Sequence, residues 1–223
     1  MELNEAMRTT FSAREFTGEE VPDDVVYALI ENARFAPSGG NRQGNRVIVV
    51  RDPNTREALA KLAEPAAKRY AAQIKAGENP WNAVIPTKVT AAEIEATPAP
   101  TMLTNSFRDA SVVLVFLVDL KAVASMDQDL DRVGVISGAS IYPFVWNTLL
   151  GARQAGFGGT ITTLASAREG EVQILLNIPS HFAVAAVVPL GKPKKQLTKL
   201  KRNSVEEIAM KERGFDIVRQ EVR

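Results

Sequence analysis

Apolar residues recur along this chain in two spacings, which together predict helices interleaved with short strands. From Val25 to Ala33 they recur at helical spacing, and the preceding Val21-Pro22-Asp23-Asp24 has the proline and carboxylates of a helix start. Pro37 disfavours a helical conformation in the residue before it, so the helical pattern ends there. The apolar run from Arg46 to Val50 then predicts a buried strand.

Two later stretches are apolar on every side, which predicts that they lie inside the protein. Ser111 to Val118 is apolar on both faces, as in a central strand, and Val133 to Ala155 is predicted to be one long helix despite Pro143. Gly158 and Gly159 then lead into a predicted strand from Thr160 to Thr163. The other predicted elements are helices from Leu3 to about Thr9, Thr55 to about Gln73, Arg168 to Leu176 and Val205 to Met210, a strand from Phe182 to Leu190, and a final segment, Gly214 to Arg223, that is frayed or docked on a partner chain.

The stretch from Gly77 to Phe107 has no such periodicity. It contains prolines at 80, 86, 98 and 100, with a short helical signal at Ala91 to Glu95. Irregular segments of this length inside a compact domain are usually lids, binding segments or disorder. Trp81, Met102 and Phe107 favour a lid, and an excursion that embraces a partner chain at a dimer interface is an equally good interpretation.

The bulk composition narrows the classes of function without selecting one. The 223 residues are 45% hydrophobic, enough for a substantial core, and we expect a single domain over 1–223. The net charge of +1 predicts no general attraction to nucleic acid or to an anionic membrane, and no apolar run approaches the about 20 residues that span a bilayer. Because cysteine is absent and His181 is the only histidine, thiolate chemistry and a multi-histidine metal centre are excluded by counting. A cytoplasmic protein is the expectation.

Three separated polar or basic segments are candidates for binding an anionic molecule. An extended backbone sends Ser12 and Arg14 to the same side, where they can share an anion with Arg8, although spacing alone slightly favours a solvated arginine on an edge strand. The loop from Pro37 to Gln43 offers bare glycine backbone to a ligand, or is an ordinary connection between a helix and a strand. The basic run from Lys192 to Arg202 is a phosphate site or a solvated face.

A series of short motifs spans almost the whole chain in a characteristic order. SAREF, VPDDVV, APSGGNRQ and AGFGGTITT are followed by LNIP, VPLGKP and LKRNSVEE. This order resembles the nitroreductase family of FMN-dependent NAD(P)H oxidoreductases. The resemblance implies an α+β fold, a mixed sheet flanked by helices, in an intertwined homodimer with FMN at each of two subunit interfaces. The long apolar helix from Val133 to Ala155 would then form the dimer core.

The same resemblance implies how the FMN phosphate is held. Members of the family often carry Arg-Arg-Ser-x-Arg at the positions that are here Thr10 to Arg14, so two arginines are absent while Ser12 and Arg14 match. Neutralisation of the phosphate is then expected to depend on Arg202, with Lys201 or Arg8.

Two further segments are implied to contact the flavin. The loop from Pro37 to Gln43 matches the family segment that reaches the flavin across the dimer interface, and Gly159 to Thr163 matches the strand entry that faces its ring. The residues that the resemblance implies for cofactor binding are Arg8, Thr10, Phe11, Ser12, Arg14, Pro37, Ser38, Gly39, Asn41, Gln43, Gly159, Thr160, Ile161, Thr162, Lys201 and Arg202.

The implied activity places the chemistry on the flavin, so no catalytic side chain and no metal is expected. FMN would accept hydride from NAD(P)H at N5 and pass it to a nitroaromatic, a quinone or a similar small acceptor, in a pocket shaped by Trp81 and Phe107. Three alternatives stay open: a dehalogenase-like or flavin-consuming member of the same fold, a flavin-binding protein without turnover, and a cofactor-free dimeric interaction module.

Overall fold

The protein folds into a four-stranded sheet covered by helices on both faces. A computed structural model describes residues 1–210 of the chain. The strands are β1 (Asn45–Val50), β2 (Val112–Asp119), β3 (Gly158–Gly159) and β4 (Phe182–Gly191). The helices are α1 (Leu3–Thr9), α2 (Asp23–Ala33), α3 (Pro53–Lys75), α4 (Ala91–Ala96), α5 (Thr101–Asp109), α6 (Tyr142–Gln154), α7 (Glu169–Leu176) and α8 (Val205–Ile208), with 3-10 turns at Gly39–Asn41, Ile136–Ser140 and Ala165–Arg168.

The sheet has the strand order β1-β2-β4-β3, and each of these neighbours pairs antiparallel. A parallel bridge between Ser12 and Gly159 extends the β3 edge toward the start of the chain. The predicted α+β class with a helix-flanked sheet is therefore confirmed. Among the described residues, the only parallel pairing in the sheet is the bridge between Ser12 and Gly159.

Strand β2 divides the interior into two cores. Val112 to Val118 are all buried, and alternate side chains point to opposite faces of the sheet. Leu114 and Phe116 belong to the core under α2 and α6. The rings of Phe116 and Phe144 meet edge to face there, with 5.4 Å between their centroids. Val113 and Val115 belong to the core under α3 and α5.

The predicted helix from Val133 to Ala155 is wrong in its first third. Only Tyr142–Gln154 is α-helical, and Ile136–Ser140 is a 3-10 turn. Pro143 lies in the first turn of α6, where its missing N–H leaves no hydrogen bond unmade. The residue before α6, Ile141, is non-helical, with φ of −129° and ψ of −44°. The Val135 and Ile136 amides, at the start of the 3-10 turn, donate to the Asp127 carboxylate.

Two other predictions need correction in position. The predicted strand from Thr160 to Thr163 is displaced: the paired residues are Gly158–Gly159, and Thr162 makes a separate bridge to Val187. The stretch from Gly77 to Phe107 is more regular than its sequence indicates, since it contains α4 and most of α5. The remaining predicted helices and strands are confirmed to within a few residues, while the prediction for Gly214 to Arg223 falls outside the described residues.

Asp127 organises the segment between β2 and α6. Its side chain is 3% exposed and accepts hydrogen bonds from the Val135 amide (2.7 Å), the Ile136 amide (3.3 Å), Arg132 Nη1 (2.8 Å) and the Ser125 hydroxyl (3.2 Å). These donors, the Val135 amide first, lower the pKa of Asp127 from 3.8 to about 2 against the opposing effect of burial. The charged carboxylate therefore stabilises the fold above pH 3.8, and this contribution is lost as the pH falls toward 2.

We expect Asp127→Asn to lower the free energy of unfolding at pH 7. The amide keeps the shape of the side chain but removes the negative charge that strengthens the hydrogen bonds from these donors. The difference from the parent protein should shrink as the pH falls through the window from 3.8 to about 2. Denaturant unfolding followed by circular dichroism between pH 7 and 2 measures this difference. The exposed Asp129→Asn is the matched control and should have little effect. A difference that stays constant with pH would contradict the assignment.

Candidate functional site

A cavity of about 470 Å³ opens between α3, α5 and the chain that follows β3. Its wall includes Arg14, Tyr70, Trp81, Leu103 and the stretch from Thr160 to Leu164. Ligand pockets usually have volumes of about 300–1,000 Å³, with mostly apolar walls and a few convergent polar groups. This cavity has that size and that character.

The sheet edge brings two sequence-predicted segments to this cavity. Ser12 bridges Gly159, and the Ala13 amide donates to the Gly159 carbonyl at 3.0 Å. Arg14 is thereby carried to the same wall as Thr160, Ile161 and Thr162. Segments that lie nearly 150 residues apart in the sequence thus meet at one place, as the resemblance implies.

Gly159 is required at this junction by the packing of the sheet. A Cβ built on Gly159 would lie 2.5 Å from the Pro189 carbonyl oxygen, with Val188 and Leu149 side chains at 3.2 and 3.3 Å. Only glycine allows β3 to approach β4 this closely. The residue therefore sets the position of Thr160 and of the cavity wall beyond it.

Thr160 presents the most informative polar group of the site. The residue is 1% exposed, and its hydroxyl has no hydrogen-bond partner among the described residues. A buried hydroxyl without a partner is unfavourable by about 1–3 kcal/mol. Thr160 belongs to the wall of the cavity, and its hydroxyl oxygen is buried within that wall.

Thr10 and Phe11 have side chains that the fold itself uses. The Thr10 hydroxyl is buried and donates to the Ala6 carbonyl at 2.7 Å, one turn back in α1. Phe11 packs against the core under α3 and α5. Both side chains therefore already have contacts within the fold, while Arg8 is exposed on α1.

The loop from Pro37 to Gln43 does not line this cavity within one chain. It is fixed internally, because the Gln43 amide donates to Ser38 Oγ at 3.0 Å and the Gly39 amide donates to Ser140 Oγ at 3.1 Å. Asn41 and Gln43 both have left-handed backbone, with φ of 53° and 50°, and Gln43 Nε2 donates to Asn41 Oδ1 at 3.2 Å. The loop is thus a preformed polar surface on another part of the molecule.

Lys201 and Arg202 are exposed and also do not line the cavity. Arg202 Nη1 donates to the Lys201 carbonyl at 2.7 Å. The tail that carries them passes the end of α1, where Gln196 Nε2 donates to the Thr9 carbonyl at 3.0 Å.

Of the two aromatic residues predicted to shape an acceptor pocket, only Trp81 reaches the cavity. Phe107 is fully buried in the core under α3 and α5, so that part of the prediction is wrong. Leu103, one turn earlier in α5, lines the cavity instead, together with Ser106. Tyr70 of α3 was not predicted, because helical spacing gives the buried face of a helix but not the part of it that meets a ligand.

Comparison with known proteins gives consistent matches over most of the chain. A family model described as "Nitroreductase family" matches residues 7–192. An NADH dehydrogenase of Thermus thermophilus is 28% identical over 197 residues, which cover 82% of this chain and 82% of that protein.

Two solved structures show the same fold. An iodotyrosine deiodinase bound to FMN and 3-iodo-L-tyrosine has a TM-score of 0.65 at 20% identity, over 96% of this chain and 100% of that one. An NADPH:FMN oxidoreductase of Vibrio harveyi complexed with NAD⁺ has a TM-score of 0.66 at 18% identity, over 96% of this chain and 79% of that one.

We expect Gly159→Ala to lower the free energy of unfolding by about 1–3 kcal/mol, because its Cβ forces strand β3 away from the Pro189 carbonyl. Gly170→Ala is the comparison without a clash: no heavy atom lies within 4 Å of its added Cβ, and because Gly170 lies in α7 the alanine should stabilise the protein by about 0.5–1 kcal/mol. Urea unfolding of both variants measures the difference. Equal stabilities of the two variants would show that the sheet edge adjusts freely.

Proposed function

The chain belongs to the nitroreductase family, and from this premise we propose that it is an FMN-dependent oxidoreductase. In this proposal it passes hydride from NAD(P)H to a nitroaromatic, a quinone or a similar small acceptor. The NADH dehydrogenase relative and the FMN-binding structures of the same fold support the assignment. The observation in this chain that carries it is the cavity wall to which the bridge between Ser12 and Gly159 brings Arg14 together with Thr160, a residue whose hydroxyl has no partner among the described residues.

The residues at the cavity fit a flat cofactor with polar edges. Thr160 offers a hydroxyl that lacks a partner, and Arg14 offers a positive charge at the same wall. We propose that Ser12, Arg14 and Thr160 to Thr162 bind the ring system. Apolar neighbours such as Leu103 and Leu164 exclude water, which strengthens the attraction of Arg14 for negative charge.

When bound, FMN supplies the hydride chemistry, and the chain's own residues bind and orient it. The phosphate is the less well matched part, since Thr10 and Phe11 replace two arginines and both serve the fold. We propose that the exposed cations Arg8, Lys201 and Arg202 hold it.

The proposal includes a homodimer in which a second copy completes the site with its loop from Pro37 to Gln43. An apolar surface beside that loop supports this arrangement. Its side chains are 38–64% exposed in the single chain: Val133, Val135, Ile136, Tyr142 and Trp146. Large exposed apolar patches are typical of interfaces between protein chains.

A dehalogenase-like reaction is the second candidate, because iodotyrosine deiodinase relatives match almost the full length of the chain. The enzyme of Thermotoga neapolitana is 25% identical over 87% of this chain and 90% of that protein. A screen with 3-iodotyrosine in parallel with nitroaromatics and quinones separates the two candidates.

The location stays a prediction. Within residues 1–210, no helix has the length and apolar character needed to cross a bilayer. The expected cytoplasmic location and the expected lack of nucleic-acid and membrane partners rest on the sequence alone.

The purified protein should be yellow, bleach when NADPH or NADH is added without oxygen, and regain its colour when a nitroaromatic or quinone follows. Absorbance spectroscopy measures each step. A yellow protein that neither nicotinamide bleaches would favour the dehalogenase-like or the non-turnover alternative. A colourless protein that ignores added FMN would favour the interaction module.

We expect Thr160→Val to separate ligand binding from stability. Removal of the unpartnered hydroxyl should raise the free energy of unfolding of the flavin-free protein by about 1 kcal/mol. The same change should weaken FMN binding by roughly 2- to 10-fold, the equivalent of one ordinary hydrogen bond. Fluorescence titration with FMN and urea unfolding measure the two effects.

Thr148→Val is the matched control, because the buried Thr148 hydroxyl already donates to the Phe144 carbonyl of its own helix at 2.9 Å. It should leave FMN affinity unchanged. Equal FMN affinities of the parent and Thr160→Val would remove the Thr160 hydroxyl from the site.

A further inference from the structure

Trp81 has a backbone conformation that bulky residues rarely adopt. Its φ is 55°, in the left-handed region, and the residue lies between α3 and α4 on the wall of the cavity. Such conformations persist only where surrounding contacts impose them, and they cluster at functional sites. The contacts that impose this one come from α3.

Gln73 holds the backbone of Trp81 in place. Its side chain is buried in α3, and Oε1 accepts a hydrogen bond from the Trp81 amide at 3.2 Å. Its Nε2 donates to Glu78 Oε2 at 3.2 Å, and the Glu78 carboxylate also accepts from the Thr87 hydroxyl at 2.5 Å and the Lys88 amide at 2.7 Å. The side chain of Gln73 thus ties Trp81 and Glu78 to α3, and Glu78 in turn holds Thr87 and Lys88.

Arg69, one turn before Gln73, fixes the ring. Its guanidinium carbon lies 4.1 Å from the centroid of the Trp81 ring, a distance at which cation and ring attract each other. The cavity wall includes Trp81 but not Arg69, so Arg69 contacts the ring from outside the cavity. Tyr70 adds a second aromatic side chain to the same wall.

We propose that Arg69 and Gln73 are positioning residues that hold Trp81 as a fixed flat wall, and that this wall selects planar aromatic acceptors. The proposal rests on the proposed function for the role of the cavity. It goes further in naming what sets acceptor choice: a flat molecule covers the indole face, whereas a puckered ring of similar size does not. Aromatic pairs gain attraction beyond their buried area only when their rings stack or meet edge to face.

The test measures binding without turnover, using Trp81 as its own reporter. Trp81 and Trp146 are the two tryptophans of the chain, so Trp146→Phe leaves Trp81 as the single indole. In this background, with the protein as purified and no nicotinamide added, nitrobenzene quenches Trp81 emission when it binds. Nitrocyclohexane, its puckered saturated counterpart, is measured by competition. We expect nitrobenzene to bind at least tenfold more tightly.

Two variants then test the positioning residues. Gln73→Met keeps the size but removes the acceptor for the Trp81 amide, and it should raise the nitrobenzene Kd about tenfold while leaving the nitrocyclohexane Kd unchanged. Arg69→Lys keeps the charge but loses the flat stacking group, and it should change the ratio of the two Kd values in the same direction. Gln173→Met, the same substitution at a glutamine that binds the Phe182 carbonyl, should leave both values unchanged.

An equal loss of both ligands in Gln73→Met would show a merely structural role and overturn the proposal, as would unchanged binding in both variants. If Gln73→Met does not fold, Arg69→Lys decides alone. A protein that prefers nitrobenzene but is not reduced by NAD(P)H would refute the proposed function and leave this inference standing. A protein that is reduced normally by NAD(P)H but binds nitrobenzene and nitrocyclohexane equally well would refute this inference and leave the proposed function standing.

Discussion

Burial of β2 on both of its faces is the constraint on which the rest of the structure depends. Its side chains pack into two separate hydrophobic cores, one on each face of the sheet, so helices must cover both faces. Helix α3 lies on one side together with α5, and the cavity forms where those two helices meet the sheet edge beyond β3. The site is thus a consequence of how the second face of β2 is covered.

The elements predicted best from the sequence are those whose apolar residues must be buried in the core. Strand β2 is one uninterrupted apolar run, and α2 has one apolar side. Both patterns can be recognised directly in the sequence, because they match the spacing of buried residues in a strand and in a helix. Prediction from the sequence failed where the backbone conformation depends on a contact between residues that are not neighbours in the chain. No local pattern indicates that the Asp127 carboxylate will accept from the Val135 and Ile136 amides, at the start of the 3-10 turn that replaces part of the predicted helix.

The candidate site shows the same division. Arg14 and Thr160 to Thr162 were predicted together from a family resemblance, and the bridge between Ser12 and Gly159 brings them together. Phe107 was misassigned because an aromatic residue in an irregular stretch resembles a ligand contact, whereas here it fills the core. The roles of Arg69 and Gln73 are visible only once α3 lies against the segment that carries Trp81.

The hydroxyl of Thr160 has no hydrogen-bond partner among the described residues, and the residue belongs to the cavity wall. A ligand that satisfies it binds the native chain and not the unfolded one, so its concentration enters the folding equilibrium directly. At 100 times its dissociation constant, such a ligand adds about 2.7 kcal/mol to the stability of the native state. Under the proposed function, loss of that molecule would raise the unfolded fraction on which cellular proteases act.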